Sequence, residues 1–152
     1  MDELPELYPF TGSWDSYVEE LYRRYLAGVV YGDLYFEEQK VRSRFHPETD
    51  GKGFGFWHLI SEGDDEDNRT PDFRRCERID WVPWLIENYE GDRIKWWKNK
   101  RKSNTHVLLW LEEENFVVVL AERKDYYLLK TAYVPERYRK RQFLKEWKKY
   151  WA

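Results

Sequence analysis

The sequence predicts an α+β domain: an antiparallel sheet, built from a hairpin plus a three-stranded meander, with an N-terminal and a C-terminal helix packed on it. Three observations carry this. Branched and aromatic runs at Thr105–Leu111, Phe116–Glu122 and Tyr127–Tyr133 are separated only by short polar connections. Trp14, Tyr17, Val18, Leu21 and Tyr25 recur at spacings of three and four. Phe143, Leu144, Trp147 and Trp151 form a second apolar stripe, opened by Pro135 and surrounded by Lys and Arg.

Taken in order, residues 1–12 read as an N-terminal arm. Ser13 is placed to cap the first helix, with Asp15, Glu19 and Glu20 near its positive end. Gly28 is expected to end it. Leu34–Arg44 reads as a strand and Phe54–Ile60 as a second, forming a hairpin with residues 47–53 at its tip. Residues 62–72 read as a mobile acidic loop. Glu62, Asp64, Asp65, Glu66 and Asp67 lack EF-hand spacing, which favours a solvated loop over a cation site. Pro83–Tyr89 reads as a short helix and Arg93–Lys98 as a short strand. Phe116–Ala121, apolar throughout, is expected to be the central strand, covered on both faces.

A chain of 152 residues fits one domain, residues 1–152, with its own core. Its charged fraction is 36%, against about 25% in ordinary domains. The 9 Trp, 12 Tyr and 8 Phe bring enough burial to fold it despite that charge. Net charge is −3, unevenly distributed. Nine acidic residues up to Glu38 face only Arg23 and Arg24, whereas Arg93, Lys95, Lys98, Lys100, Arg101 and Lys102 follow one another with no acid between. Such a stretch reads as a polyanion-binding face or as a solvated one. Cys76 is alone, so no disulfide framework is expected, which suits a reducing compartment. The acidic N-terminus does not read as a signal peptide and no apolar run is long enough to span a bilayer, so the expectation is cytoplasmic with no membrane partner.

Metal and cofactor chemistry find no motif: there is no HExxH, no P-loop spacing around Lys52 and no nucleophile elbow, and Cys76 reads as structural. Metal-free RNA cleavage fits better. It needs a base for the ribose 2′-hydroxyl, an acid for the leaving 5′-oxygen and donors for the phosphorane. His46 and His58 supply acid and base. Lys52, Arg74, Arg75 and Arg78 hold phosphate, and Thr131 and Tyr133 donate hydrogen bonds. The plain alternatives are a loop histidine at His46, a sheet histidine at His58, and core ion pairs for the arginines. His106, beside the meander, reads as structural.

The segments Phe56–Ser61, Arg74–Ile79 and Leu128–Tyr133 resemble small phage- and prophage-associated members of the barnase–EndoU–colicin E5/D–RelE superfamily of metal-independent RNases. The resemblance spans roughly residues 31–151. It implies a catalytic cleft in which an early histidine or lysine faces a late-strand hydroxyl. His46, Lys52, His58 and Thr131 match those places, with either histidine able to be the family one. It also implies RNA as partner, tRNA among the candidates, and a protein antitoxin or inhibitor. A different class of reading is a non-catalytic RNA- or protein-binding module. In it Trp96 and Trp97 stack bases while Lys98, Lys100 and Arg101 bind phosphate. A third is a protein-partner module docking through the acidic N-terminal region.

Overall fold

Ser13 caps α1 (Trp14–Tyr25) by accepting the Ser16 amide at 3.2 Å, and Tyr17, Val18, Leu21 and Tyr25 are buried along one face. The structure, a computed structural model, describes residues 3–63 and 68–152. Gly28 does not end the helix. The chain widens into a π-type turn over Leu26–Val30, and Gly28 sits where a Cβ would stand 3.0 Å from the Pro83 ring. Its role is close approach to a second helix, not termination.

The expected strand Leu34–Arg44 is itself a tight hairpin, β1 (Tyr35–Phe36) and β2 (Gln39–Ser43). Glu37 and Glu38 make its two-residue turn, both with positive φ (47° and 71°), a conformation usually given to Asn-Gly. The turn is held from outside: the Glu37 amide donates to Tyr89 Oη at 3.2 Å, and the Glu37 carboxylate pairs with Lys98 at 3.0 Å.

Phe54–Ile60, expected as a strand, is a helix (α2). Its first amides donate to carbonyls just past β2, Phe54 to Phe45 at 3.0 Å and Gly55 to Arg44 at 2.7 Å. Gly55 allows this, because a Cβ there would lie 2.2 Å from Ser43 Oγ. Phe56, Leu59 and Ile60 are buried at helical spacing while Trp57 and His58 face outward, half-buried. The expected hairpin between the two segments is therefore absent.

Asp64–Asp67, the centre of the expected acidic loop, lie outside the described residues. Their flanks pair as a short antiparallel ladder, β3 (Ser61–Glu62) with β4 (Thr70–Pro71). Asp72 then caps α3 (Phe73–Cys76), and α4 runs Trp81–Glu87.

The remaining strands are β5 (Ile94–Arg101), β6 (Asn104–Leu111), β7 (Phe116–Glu122) and β8 (Tyr127–Tyr133), each antiparallel to the next. β2 lies parallel to β8, Val41 opposite Tyr127 and Ser43 opposite Leu129. The result is a six-stranded, mostly antiparallel sheet in the order β1-β2-β8-β7-β6-β5. One face packs Val107, Leu109, Val118, Leu120 and Leu129 under α1, α2 and α4. The other packs Trp97, Leu108, Trp110 and Val117 under α5 (Arg137–Trp151), whose Phe143 ring lies 5.2 Å from Trp97 and 5.4 Å from Trp110. In β7, Val117 faces one cluster and Val118 the other, so both faces are covered.

Candidate functional site

The residues expected from sequence fall on two sides of the sheet. On the α2 side, His58 projects from the helix's last turn and stacks on Phe54, ring centroids 4.2 Å apart at 29°. The Arg44 guanidinium lies 4.5 Å from the same Phe54 ring. A pocket of about 270 Å³ opens beside His58, walled by Phe54, Trp57, Pro71 and Arg69. Arg69 is committed to backbone: it donates to Ser61 O at 2.6 Å and Gly63 O at 2.8 Å, and to Ser61 Oγ at 3.0 Å.

Arg75 behaves likewise. Its Nη1 donates to Ser61 O at 2.6 Å, His58 O at 3.3 Å and Thr131 Oγ1 at 3.5 Å, closing the C-terminal end of α2 against β8. Burial pushes its pKa below the usual arginine value. Thr131 Oγ1 donates to His58 O at 3.1 Å. The sheet thus brings His58, Arg75 and Thr131 together, but through the His58 backbone carbonyl.

The other members of this expected set stand apart. Lys52 is 7% exposed and pairs with Glu19 at 2.5 Å, pinning its loop to α1. His46 is exposed, edge-on to Phe45, and its carbonyl accepts from Arg44 at 2.6 Å. Arg74 is exposed, 3.7 Å from Asp72. Arg78 pairs with Glu77 at 2.7 Å and lies over the Trp81 ring.

On the α5 side the polar residues face open space. A cleft of about 230 Å³ is lined by Asn99, Arg101, His106, Lys130, Thr131 and Tyr133. Strand alternation explains most of this set. Asn99 and Arg101 on β5, His106 on β6 and Tyr133 on β8 share the face of Trp97, Leu108 and Val117, at the end of the sheet beyond the apolar cluster under α5. A β-bulge explains the rest. Val119 pairs with Thr131 and Leu120 with Leu129, which leaves Lys130 as the extra residue and turns it into the cleft beside Thr131.

The cleft is cationic. Burial and the nearby Arg101, Lys130 and Arg123 hold the His106 imidazole below its ordinary pKa. Burial raises the Tyr133 hydroxyl, opposed by Arg139, Arg101 and Arg75. A wider groove of about 590 Å³ shares Asn99 and Arg101 and continues past Lys100, Gln142 and Lys149. Its one carboxylate is Glu146, tied to Trp97 Nε1 at 2.9 Å, Asn99 Nδ2 at 3.1 Å and Gln142 Nε2 at 3.0 Å. Asn99 Oδ1 is buried without a partner among the described residues.

Lys98 borders the groove, but its ammonium meets Glu37, Glu122 and Tyr127. These outweigh the cost of its burial and raise its pKa. Trp97 is fully buried, so it offers no face to a base. Of the expected residues, the groove and cleft bring together Lys100, Arg101, Thr131 and Tyr133. His106 and Lys130 were missed. The available signal was the polar start of β6, where Thr105-His106 interrupts an otherwise apolar strand; the bulge at Lys130 left none.

Among the described residues no group of three or more His, Cys, Asp or Glu is placed to hold a metal ion. Cys76 is buried against Ile60 O, and burial pushes its thiol up to about 12. No described helix is long and apolar enough to cross a membrane. No protein-family model, curated protein or solved structure matches the chain.

Proposed function

We propose that the α5-side cleft binds RNA and cleaves it without a metal ion. The observation that carries this is one imidazole, kept neutral by burial and by surrounding cations, sharing an open cleft with the Tyr133 hydroxyl. A neutral His106 can take the proton from a ribose 2′-hydroxyl at neutral pH. The 2′-oxygen then bonds to phosphorus while Arg101 and Lys130 offset the charge of the phosphorane. The bond to the 5′-oxygen breaks, and the Tyr133 hydroxyl, kept protonated by burial, supplies the leaving group's proton. Water returns the proton from the imidazolium to Tyr133. Lys100, Arg101 and Lys149 guide the flanking backbone along the groove.

This places the chemistry on a sheet face bearing a late-strand hydroxyl, which agrees with the superfamily resemblance while moving the base from His46 or His58 to His106. RNA binding without cleavage is the second reading. It is favoured by the cleft holding a single imidazole rather than an acid–base pair of them.

The test is incubation of the purified protein with tRNA and with total RNA in EDTA. The expected products carry 2′,3′-cyclic phosphate ends and disappear with His106→Ala. Intact RNA that is nonetheless bound, with binding lost in Arg101→Ala, establishes the second reading. RNA neither cut nor bound sinks both.

A further inference from the structure

At the β5 edge of the sheet, four aromatic residues line an open pocket of about 190 Å³: Tyr89, Trp96, Trp147 and Trp151, with Glu90 at its rim and Tyr150 of the neighbouring groove packed on Trp96 and Trp151. Its walls stand nearly at right angles. Trp96 and Trp151 lie 5.0 Å apart at 86°, and Tyr89 and Trp96 lie 6.1 Å apart at 77°. The rings are fixed in this edge-to-face arrangement by contacts outside the pocket. Trp151 Nε1 donates to Trp96 O at 2.6 Å, Tyr89 Oη accepts the Glu37 amide at 3.2 Å, and Trp96 packs edge-on against buried Phe36 at 5.2 Å.

We propose that this pocket is an aromatic cage for a small quaternary ammonium ion of the choline type. Ring faces carry negative potential, so perpendicular π walls stabilise a cation that has no N–H donors to satisfy. Glu90 adds a full negative charge at the entrance. The Lys95 ammonium, which does not line the pocket, lies 4.8 Å from the Trp147 ring centroid, where its pairing with Glu112 at 2.6 Å offsets its charge. The pocket's volume of about 190 Å³ suits one compact head group. A peptide strand is disfavoured as the carrier: β5 is an edge strand, but the Trp151 indole occupies the Trp96 carbonyl that an added strand would use.

The test is a titration of the full chain with tetramethylammonium, with choline, and with the neutral carbon isostere of choline in which tert-butyl replaces trimethylammonium. Indole fluorescence and the side-chain NMR signals of Trp147 and Trp151 report binding. The expected result is saturable shifts for both cations and at least about tenfold weaker binding of the neutral isostere, the ratio set by cation–π attraction. Trp151→Ala abolishes the shifts, and Glu90→Gln weakens binding several-fold with unchanged circular dichroism. Should Trp151→Ala fail to fold, Glu90→Gln and the charged-against-neutral comparison decide. Equal affinity for choline and its isostere, or no saturable shift in the folded protein, overturns the proposal. Binding of a trimethyllysine peptide more than about tenfold tighter than choline overturns the small-molecule assignment.

Discussion

The two histidine-bearing sides of the sheet use the same residue types for opposite ends. Around His58, arginines face inward: Arg69 and Arg75 donate to the carbonyls of Ser61, Gly63 and His58, and Lys52 is locked to Glu19. Around His106, the cations Arg101 and Lys130 line an open cleft and add to the effect of burial in lowering the imidazole's pKa. A cation already answering protein acceptors holds structure. A cation left facing space, close enough to perturb a histidine, is available to a phosphate. The difference teaches that a basic residue near a histidine in sequence says little until its donors have been followed to their acceptors.

The largest expected effect separates the two histidines. His106→Ala lowers RNA cleavage by about 10²–10⁴-fold, the usual contribution of a general base. His58→Ala leaves the rate within a few-fold, since that ring stacks on Phe54 beside α2 and does not line the His106 cleft. Single-turnover assays on one RNA substrate measure both. Equal losses would break the comparison.

Stability separates the arginines. Arg75→Ala takes one of two side-chain donors from each of the carbonyls of His58 and Ser61, the others being Thr131 and Arg69, and is expected to cost about 1–3 kcal/mol in urea unfolding. Arg101→Ala, at an exposed site, changes stability by less than about 0.5 kcal/mol but weakens RNA binding and lowers its salt slope by about 1. A stable Arg75→Ala protein with impaired RNA binding would return Arg75 to the phosphate-holding role. Gly55→Ala, whose added methyl meets Ser43 Oγ and the Arg44 backbone, is expected to cost about 1–3 kcal/mol in the same assay. Its effect on cleavage should follow the loss of folded protein and nothing more, because the α2 side only carries the cleft.

The smallest effect is pH. The folded His106 pKa lies below its ordinary 6.5. On acidification through about 6.5 the unfolded chain takes up the proton first, so this residue's contribution to stability, complete above that pH, is lost as pH falls toward the folded pKa. RNA binding moves the other way, since a bound phosphate favours the imidazolium. Acidification should therefore tighten binding while slightly lowering the unfolding midpoint, and His106→Ala should flatten the histidine component of both profiles.

The late strands, α1 and α5 were legible because their apolar periods are set locally. Phe54–Ile60 was not. Seven nearly all-apolar residues fit a buried strand or a buried helix equally, and the choice is made by Gly55 lying against Ser43 and Arg44, a tertiary fact. The β1–β2 turn was hidden because Glu37-Glu38 carries none of the usual turn chemistry and is stabilised from Tyr89 and Lys98, far along the chain. Of the residues lining the cleft, Thr131 and Tyr133 are legible as polar residues ending the last strand, and Arg101 as part of a basic run. His106 became legible only once its β5 and β8 neighbours were known, and Lys130 only with the bulge.

The parallel pairing of β2 with β8 bears on how the protein is made. A chain emerging from the ribosome reaches β2 early, but the strand that β2 docks on is the last of the sheet. That same strand brings Lys130, Thr131 and Tyr133. Closure of the sheet and completion of the cleft are thus one late event. On the RNA-cleaving function proposed above, a half-made chain, still tethered among ribosomal and messenger RNA, would lack Lys130 and Tyr133 of the cleft.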